Sequence, residues 1–308
     1  MENFSHQRTS SIKFRPLSRR RSIIEWILLA PAILFTFLIV FFPLVRMVGI
    51  SFTEYQLTRP LTKGVFVGLE QYSRLFSDPH FLRAIWISAV YTFTVTTISF
   101  LMGLFTAILL NQRIRGFRIA RSLITLPWGV PSAVAAFIWL FMFQSTFGVI
   151  NYLLTVSGLF AAPIQWLQKA TTSLIAIIVV GIWKVFPFNT LVLFAGLQAI
   201  PRGLYEAVEV DGGGAIAKFL DITWPALKYV STVVILLTGV HAFREFESIY
   251  ILTSGGPARA TETLGLKAYI EAFRYFDFGY ASAVGCVMLV ISMASAFFLI
   301  RAMRAEFY

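Results

Sequence analysis

The sequence predicts an all-α integral membrane protein with six transmembrane helices. Of its 308 residues, 57% are hydrophobic and only 13% are charged, whereas about a quarter of the residues in a soluble domain are charged. Six apolar runs also approach the roughly 20 residues that a helix needs to cross the hydrocarbon core of a bilayer. The chain therefore has too little charged surface for a water-soluble domain and enough apolar segments for six spans.

The six predicted spans differ in the residues that interrupt them. The second has no charged residue, the third contains Pro127 and Pro131, and the fourth contains Lys184. In chain order, the spans are predicted at about Trp26–Val45, Ala84–Leu110, Ser122–Gln144, Ser173–Leu197, Ala226–Phe243 and Phe278–Ile300. The predicted organisation is a basic tail over 1–25, a six-helix transmembrane domain over 26–303 and a short tail over 304–308.

Basic residues predict which loops face the cytoplasm, because cytoplasmic loops of membrane proteins carry an excess of Lys and Arg. The N-terminal tail alone carries six, namely Arg8, Lys13, Arg15, Arg19, Arg20 and Arg21. We therefore expect a multi-pass protein of the inner membrane with both termini in the cytoplasm. The net charge of +11 is better explained by this topology than by nucleic-acid binding. The first apolar run is too long, and begins too late, for a cleaved signal peptide.

Several kinds of chemistry have no support in the sequence. The one cysteine, Cys286, cannot form an intrachain disulfide, and the three histidines lie far apart without metal-ligand spacing. No G-x-x-x-x-G-K-[ST] motif is present to bind ATP through a P-loop, and no G-x-S-x-G motif provides a nucleophile. We therefore expect neither an enzyme nor a cofactor-binding protein.

Acidic residues are missing from a long stretch of the chain. Between Asp78 and Glu206 there is no Asp or Glu, so the second, third and fourth spans offer no carboxylate to relay protons or bind sodium. Internal repeats, which many secondary transporters carry, are also not evident. An ion-coupled secondary transporter of small polar solutes is the alternative function, and it would lack these features.

An unusually polar stretch, Leu204–Pro225, follows the fourth span and is called the acidic segment below. It carries four carboxylates, and its first half alternates apolar with acidic residues, as in a short amphipathic helix. Gly212–Gly214 are expected to end that helix through positive φ angles, and a second short helix is expected to lead to Pro225 at the start of span five. A loop resting on the membrane and a phosphate-binding glycine loop are alternatives, but carboxylates disfavour both. Docking of a partner protein is the third possibility.

The acidic segment resembles the EAA motif, E-A-A-x-x-D-G-A-x-x-x-x-x-F-x-x-I-x-x-P, of permease subunits in binding-protein-dependent ABC importers. The matching positions are Glu206, Ala207, Asp211, Gly212, Phe219, Ile222 and Pro225. Val208 and Gly213 depart from the motif, which has Ala at both places. In that family the segment is a coupling loop, here about 198–225, that seats on a separate ATPase subunit. The resemblance implies coupling roles for Glu206, Ala207, Asp211, Gly212 and Phe219.

Other stretches resemble the maltose-type carbohydrate branch of the same family. They are LPWGVPSAVAAFIW, FGVIN, IWKVFPF, FAGLQAIPRGLYEA, IYILTSGGP and DFGYASA, in the family's order and at similar separations. The resemblance implies the type I importer permease fold, with ATP hydrolysed by other subunits. It also implies a second permease, two ATPase subunits and a periplasmic or lipid-anchored binding protein that delivers a sugar or sugar derivative.

The resemblance also implies substrate contacts in three clusters. They are Trp128 and Ser132 in span three, Lys184, Val185 and Phe188 in span four, and Thr238, Ala242 and Glu245 in span five. Pro131 and Pro187 support the first two clusters, because backbone breaks at membrane depth are tolerated chiefly where they line a cavity.

Each polar candidate has a structural alternative. Trp128 would also suit simple packing, and Ser132 would also suit a hydrogen bond within its own helix. Lys184 requires a partner at membrane depth, which we expect to be Glu245, the second permease or the solute, so it is either a structural residue or a substrate ligand. A solvated vestibule or an internal ion pair explains Glu245 as well as substrate binding does.

Overall fold

The computed structural model describes residues 19–59, 64–112 and 117–305, and the chain divides into two units, Met1–Met47 and Val48–Tyr308. A long helix begins in the first unit, where α1 (Arg19–Thr36) continues through a π-helical turn into α2 (Phe42–Ser51). Its apolar stretch, Trp26–Ser51, confirms the first span and has no buried side chain in its most apolar window. A helix that is apolar all round is suited to lipid or to another membrane subunit. Most of the predicted N-terminal tail, and residues 306–308, lie outside the described residues.

Two parallel helices, α4 (Pro79–Leu110) and α8 (Ala170–Gln198), form the centre of the second unit. They correspond to the second and fourth predicted spans, each a few residues longer than expected. Glycines allow close contact between the two helices. A Cβ atom at Gly103 would lie 2.7 Å from the Cβ of Asn189, and one at Gly181 would lie 2.5 Å from the Tyr91 hydroxyl. Small residues at such positions let membrane helices approach closely.

The third span is broken, as its two prolines predict. Helix α5 (Phe117–Gly129) and helix α6 (Ser132–Met142) meet at a bend of 99°. Pro131 lies at the break in an extended conformation, with φ −55° and ψ 140°. Because α4 and α8 are parallel, the chain between them must cross the membrane once in the opposite direction. This supports treating α5 and α6 together as one span. With that pair, the described residues contain six candidate spans.

The acidic segment begins with the predicted amphipathic helix, α9 (Arg202–Val210), and Gly212 follows it with a φ of +81°. The second half of the prediction was wrong in one respect. The short helix α10 (Ala215–Ala217) does not stop before span five but continues, through a π-helical turn over Lys218–Thr223, into α11 (Trp224–Arg244). Pro225 has no N–H to donate, and the wider turn before it accommodates this loss within one continuous helix. Span five therefore belongs to a helix that begins at Ala215.

The remaining described elements are short, except for the last. They are β1 (Thr53–Glu54) paired antiparallel with β2 (Val65–Phe66), α3 (Glu70–Ser77), α7 (Val149–Val156), α12 (Glu247–Thr253), α13 (Leu264–Phe273) and α14 (Phe278–Ala305). Helix α14 contains the sixth predicted span. The sequence did not predict α12 and α13, which connect α11 to α14 at the end of the unit where α4 begins. We call this the Asp78 end, and the opposite end, where α8 finishes, the Gln198 end.

A buried charge network, the Lys267 cluster, joins the elements at the Asp78 end. The Lys267 side chain is 1% exposed, and its Nζ lies 3.0 Å from Asp78 Oδ2, 3.3 Å from Glu271 Oε1 and 3.8 Å from Glu262 Oε1. The Tyr280 hydroxyl donates to the same Asp78 oxygen at 2.9 Å. Asp78 also caps α4 by accepting from the His80 N–H at 2.9 Å. Asp78, at the start of α4, is therefore tied to α13 by Lys267 and to α14 by Tyr280.

Candidate functional site

A groove beside the span-three bend brings together residues that are distant in sequence. Four helices contribute to it: α5 and α6 at their junction, α8 near Pro187, and α11. Its open volume is about 1120 Å³, including the mouth. Six of the eight predicted substrate contacts line it, namely Trp128, Ser132, Lys184, Val185, Phe188 and Thr238. The two clusters predicted around the proline breaks thus form one continuous surface.

An aromatic pair forms one wall of the groove. The rings of Trp128 and Phe188 have centroids 5.9 Å apart and are inclined by 32°. Trp128 is 53% exposed, so packing within this chain leaves much of its ring uncovered. Aromatic faces combine a large apolar surface with a polar edge on tryptophan. The wall therefore offers a surface on which a flat, partly apolar solute face can lie.

Lys184 has partners that the sequence did not predict. Its Nζ donates to the backbone carbonyl oxygens of Pro127 and Trp128, at 3.2 Å each, and to that of Val130. The expected partners were Glu245, another subunit or the solute. Within the described residues, the hydrogen bonds of this ammonium group go instead to the broken backbone of span three.

Glu245 and Ala242, the other two predicted contacts, line a narrow crevice next to the groove, and Lys184, Val185 and Ser132 line both. The carboxylate of Glu245 accepts hydrogen bonds from the Ser248 N–H and hydroxyl, both at 3.0 Å. It thereby caps the start of α12. Glu245 and Lys184 face the same crevice without a direct ion pair.

Thr238 takes part in a buried polar network across three helices. Its hydroxyl donates to Asn189 Oδ1 at 2.7 Å, and Asn189 Nδ2 donates to the Ser99 hydroxyl at 3.1 Å. The side chains of all three residues are almost completely buried. The Thr238 hydroxyl is therefore satisfied inside the protein, and a contact with substrate would use the methyl face of this residue.

Sequence reasoning missed two residues that the fold places around the groove and crevice. Asn189 links α4, α8 and α11, and a carboxamide in an otherwise apolar span was the available signal. The Tyr91 side chain, 1% exposed, lines the crevice opposite Lys184, and nothing in its apolar surroundings in sequence distinguished it. His241 also lines both cavities.

The acidic segment lies at the Gln198 end and is largely exposed. Among its predicted coupling residues, Glu206, Ala207, Asp211 and Gly212 are exposed, and Phe219 is half-buried. Large apolar side chains beside them are also uncovered, with Val210 88% and Ile216 76% exposed. An exposed apolar patch rimmed by polar side chains is typical of a protein interaction site.

The exposed helix of this segment is firmly tied to span five. The Tyr205 and Thr223 hydroxyls are hydrogen bonded at 3.0 Å, and Glu209 forms an ion pair with Lys218. Both bonds join α9 to the π-helical turn that continues into α11. These bonds therefore connect α9 to the helix that carries Thr238 at the groove.

The two departures from the EAA motif contact each other. A Cβ atom at Gly213 would lie 2.4 Å from Val208 Cγ1 and 3.0 Å from the Val208 carbonyl oxygen. The larger residue at position 208 thus occupies the space that an alanine methyl would need at position 213. Glycine at position 213 avoids this collision with Val208.

Comparison with known proteins identifies relatives over most of the chain. Residues 99–304 match the family model described as "Binding-protein-dependent transport system inner membrane component". The trehalose/maltose transport system permease protein MalF of Thermococcus litoralis is 35% identical over 74% of this chain and 77% of its own length. The sulfoquinovosyl glycerol transport system permease protein SmoG of Agrobacterium fabrum is 34% identical over 91% and 90%, respectively.

A solved structure has the same fold. It belongs to a bacterial ABC transporter involved in the import of the acidic polysaccharide alginate, and it superposes with a TM-score of 0.81, covering 93% of this chain and 96% of that one at 20% identity. The family match over two thirds of the chain, together with relatives above 30% identity, confirms the resemblance inferred from the EAA-like spacing. The chain therefore belongs to the family of inner-membrane permease components of binding-protein-dependent ABC transport systems.

Proposed function

We propose that this chain is the permease subunit of an ATP-driven importer for a sugar or sugar derivative. With a second permease it forms the translocation path, and a periplasmic or lipid-anchored binding protein delivers the solute. The observation that carries the proposal is the groove at the span-three bend, connected through α11 to an exposed acidic segment with EAA spacing. Relatives named for trehalose/maltose and sulfoquinovosyl glycerol transport support the carbohydrate class.

Membership of this permease family supports a division of labour between subunits. Two ATPase subunits, which are separate chains, bind and hydrolyse ATP, and this subunit is not catalytic. Their closure moves α9, and the hydrogen bonds of Tyr205 and the ion pair of Glu209 pass that movement to α11. Rotation of α11 against α8 then opens or closes the groove, as in other rigid-body transport cycles.

Reconstitution tests the proposal directly. The chain would be placed in proteoliposomes with its second permease and ATPase subunits, and uptake of labelled saccharides measured with the binding protein present. Uptake that requires ATP and the binding protein, and that ionophores do not affect, would support an importer. Uptake by this chain alone, driven by a sodium or proton gradient, would instead establish the ion-coupled alternative.

We expect Trp128→Ala to lower saccharide uptake by about two- to twelvefold, because an aromatic stacking contact contributes roughly 0.5–1.5 kcal/mol. Trp86→Ala is the matched control, since Trp86 is 69% exposed on α4 and does not line the groove. Initial uptake rates, normalised to the amount of assembled complex, provide the comparison. Equal losses in the two variants would remove Trp128 from the site.

We expect both termini to be cytoplasmic and the Asp78 end to face the periplasm. A tag inserted between Ala161 and Ala162, which are exposed between α7 and α8, should react with an impermeant reagent in spheroplasts. Tags at Met1 or Tyr308 should react only after the membrane is opened. The Gly255–Pro257 turn is less suitable for a tag, because Gly255 is buried. Labelling of either terminus in sealed spheroplasts would reverse the proposed orientation.

A further inference from the structure

The bend in span three leaves backbone carbonyl groups without helical partners. In a continuous helix the carbonyl of Pro127 would accept from the N–H of residue 131, but residue 131 is proline and has none. In the first turn of α6, the Ala135 N–H donates to the Pro131 carbonyl oxygen at 3.0 Å. The carbonyl of Val130 lies one residue before that bond, ahead of α6. Unsatisfied carbonyls at membrane depth are strongly unfavourable. The bend therefore requires donors from outside its own helix.

Lys184 supplies those donors from the neighbouring helix α8. An ammonium group has three N–H donors and no acceptor, and the Nζ of Lys184 has three carbonyl acceptors, on Pro127, Trp128 and Val130. All of its hydrogen-bonding capacity is accounted for by the backbone on both sides of the break. It has no donor left for a solute in the groove.

The positive charge of Lys184 is also offset locally. Three carbonyl dipoles point their negative ends at it, and the carboxylate of Glu245 faces the same crevice. Arg244 lines an adjoining cavity, where Glu245 and Glu247 accompany it. Within the described residues, the groove therefore presents an aromatic wall, a backbone bend and the His241 imidazole, and its lining holds no arginine and no lysine besides Lys184.

We infer that Lys184 is a positioning residue that holds the span-three bend, and that the groove consequently accepts the uncharged face of a neutral saccharide. This inference rests on the proposed function for its substrate class, while the clamp itself depends only on the geometry of Lys184. By fixing the carbonyl of Trp128, Lys184 sets where the indole ring meets Phe188. Its removal would change the shape of the groove rather than remove a ligand from it.

A cysteine at the bend reports on the clamp without any substrate. Gly129→Cys is suitable, because a Cβ there meets nothing within 4 Å, and Cys286→Ala removes the one native thiol. In the purified complex, we expect Lys184→Met to raise the labelling rate of this cysteine by a water-soluble methanethiosulfonate about tenfold, since charged hydrogen bonds are lost. Lys184→Arg, which retains charge and donors, should stay close to the parent rate.

Equal labelling rates in the Met variant and the parent would overturn the clamp. If the Met variant does not assemble, Lys184→Gln is labelled instead, because its amide offers two donors and no charge. A rate equal to that of the parent in the Gln variant would overturn the clamp, whereas a raised rate in Gln with a parent-like rate in Arg would support it.

Transport kinetics test the substrate class separately. We expect Lys184→Met to lower the maximal uptake rate of a neutral disaccharide about tenfold, with little change in the concentration of loaded binding protein needed for half-maximal uptake. Selective loss of a uronate-containing disaccharide, with neutral uptake retained, would make Lys184 a ligand and overturn the inference. Absence of any ATP-driven saccharide uptake in the parent would refute the proposed function, while the labelling result would stand independently.

Discussion

Replacing Lys267 with methionine is expected to destabilise the folded subunit by about 3–5 kcal/mol, because removing one partner of a buried ion pair leaves the other charge uncompensated. Here three carboxylates, on Asp78, Glu262 and Glu271, surround a lysine that is 1% exposed. Methionine fills a similar volume, so the effect isolates the charge. The loss of stability is measured as a lower thermal midpoint of the detergent-solubilised subunit, with size-exclusion chromatography as the readout of unfolding.

Two variants serve as controls for this prediction. Lys169→Met removes an exposed lysine and should leave the midpoint unchanged, whereas Lys267→Met combined with Glu271→Gln should recover part of the loss by removing one orphaned carboxylate. An unchanged midpoint in Lys267→Met alone would mean that the Lys267 cluster contributes no net stability.

The same cluster predicts a dependence on acid pH. Burial by itself would raise the pKa of Asp78, but hydrogen bonds from Lys267, the His80 N–H and Tyr280 outweigh it and hold the pKa below its ordinary value of 3.8. A carboxylate with a lowered pKa contributes stability that is present above the unfolded-state pKa and is lost as the pH falls through the folded-state pKa. Thermal midpoints should therefore decline with acid below about pH 4, and less steeply in Lys267→Met, where the first of these donors is missing.

Reversing the charge of Glu206 is expected to weaken ATPase docking about tenfold while the subunit still inserts in the membrane. Glu206 is exposed on α9, and a like charge placed against a basic partner surface opposes association and correct register. Glu209 would be a poorer choice, because its carboxylate already pairs with Lys218 within the segment. Co-purification of the ATPase with the tagged permease provides the measurement, with ATP-driven uptake as a second readout.

Glu70→Lys is the matched control for this experiment. It makes the same change of charge on an exposed residue, but at the Asp78 end, away from the acidic segment. Loss of the ATPase in both variants would point to a general effect of charge, and retention in both would exclude Glu206 from the docking surface.

Local patterns in the sequence predicted most of the architecture. Apolar runs of adequate length indicated the spans because the bilayer fixes the length of a helix that crosses it. The break at Pro131 was predictable because proline lacks an N–H wherever it occurs. Helix α9 was predictable from the alternation of apolar and acidic residues before Gly212. The continuous helix from Ala215 through Pro225 was not, because a π-helical turn absorbs the proline in a way that composition does not specify.

Contacts between distant segments were decided only by the tertiary structure. The sequence alone determined that this is a multi-pass membrane protein, that its span three is broken, and that an acidic EAA-like segment follows span four. It did not determine the partner of Lys184 or that Lys267 gathers Asp78 and Glu271. A side chain's partner depends on how helices far apart in sequence are packed. Residue type establishes that a buried charge needs a partner, and only the packing of α8 against the bend provides that partner as backbone carbonyls.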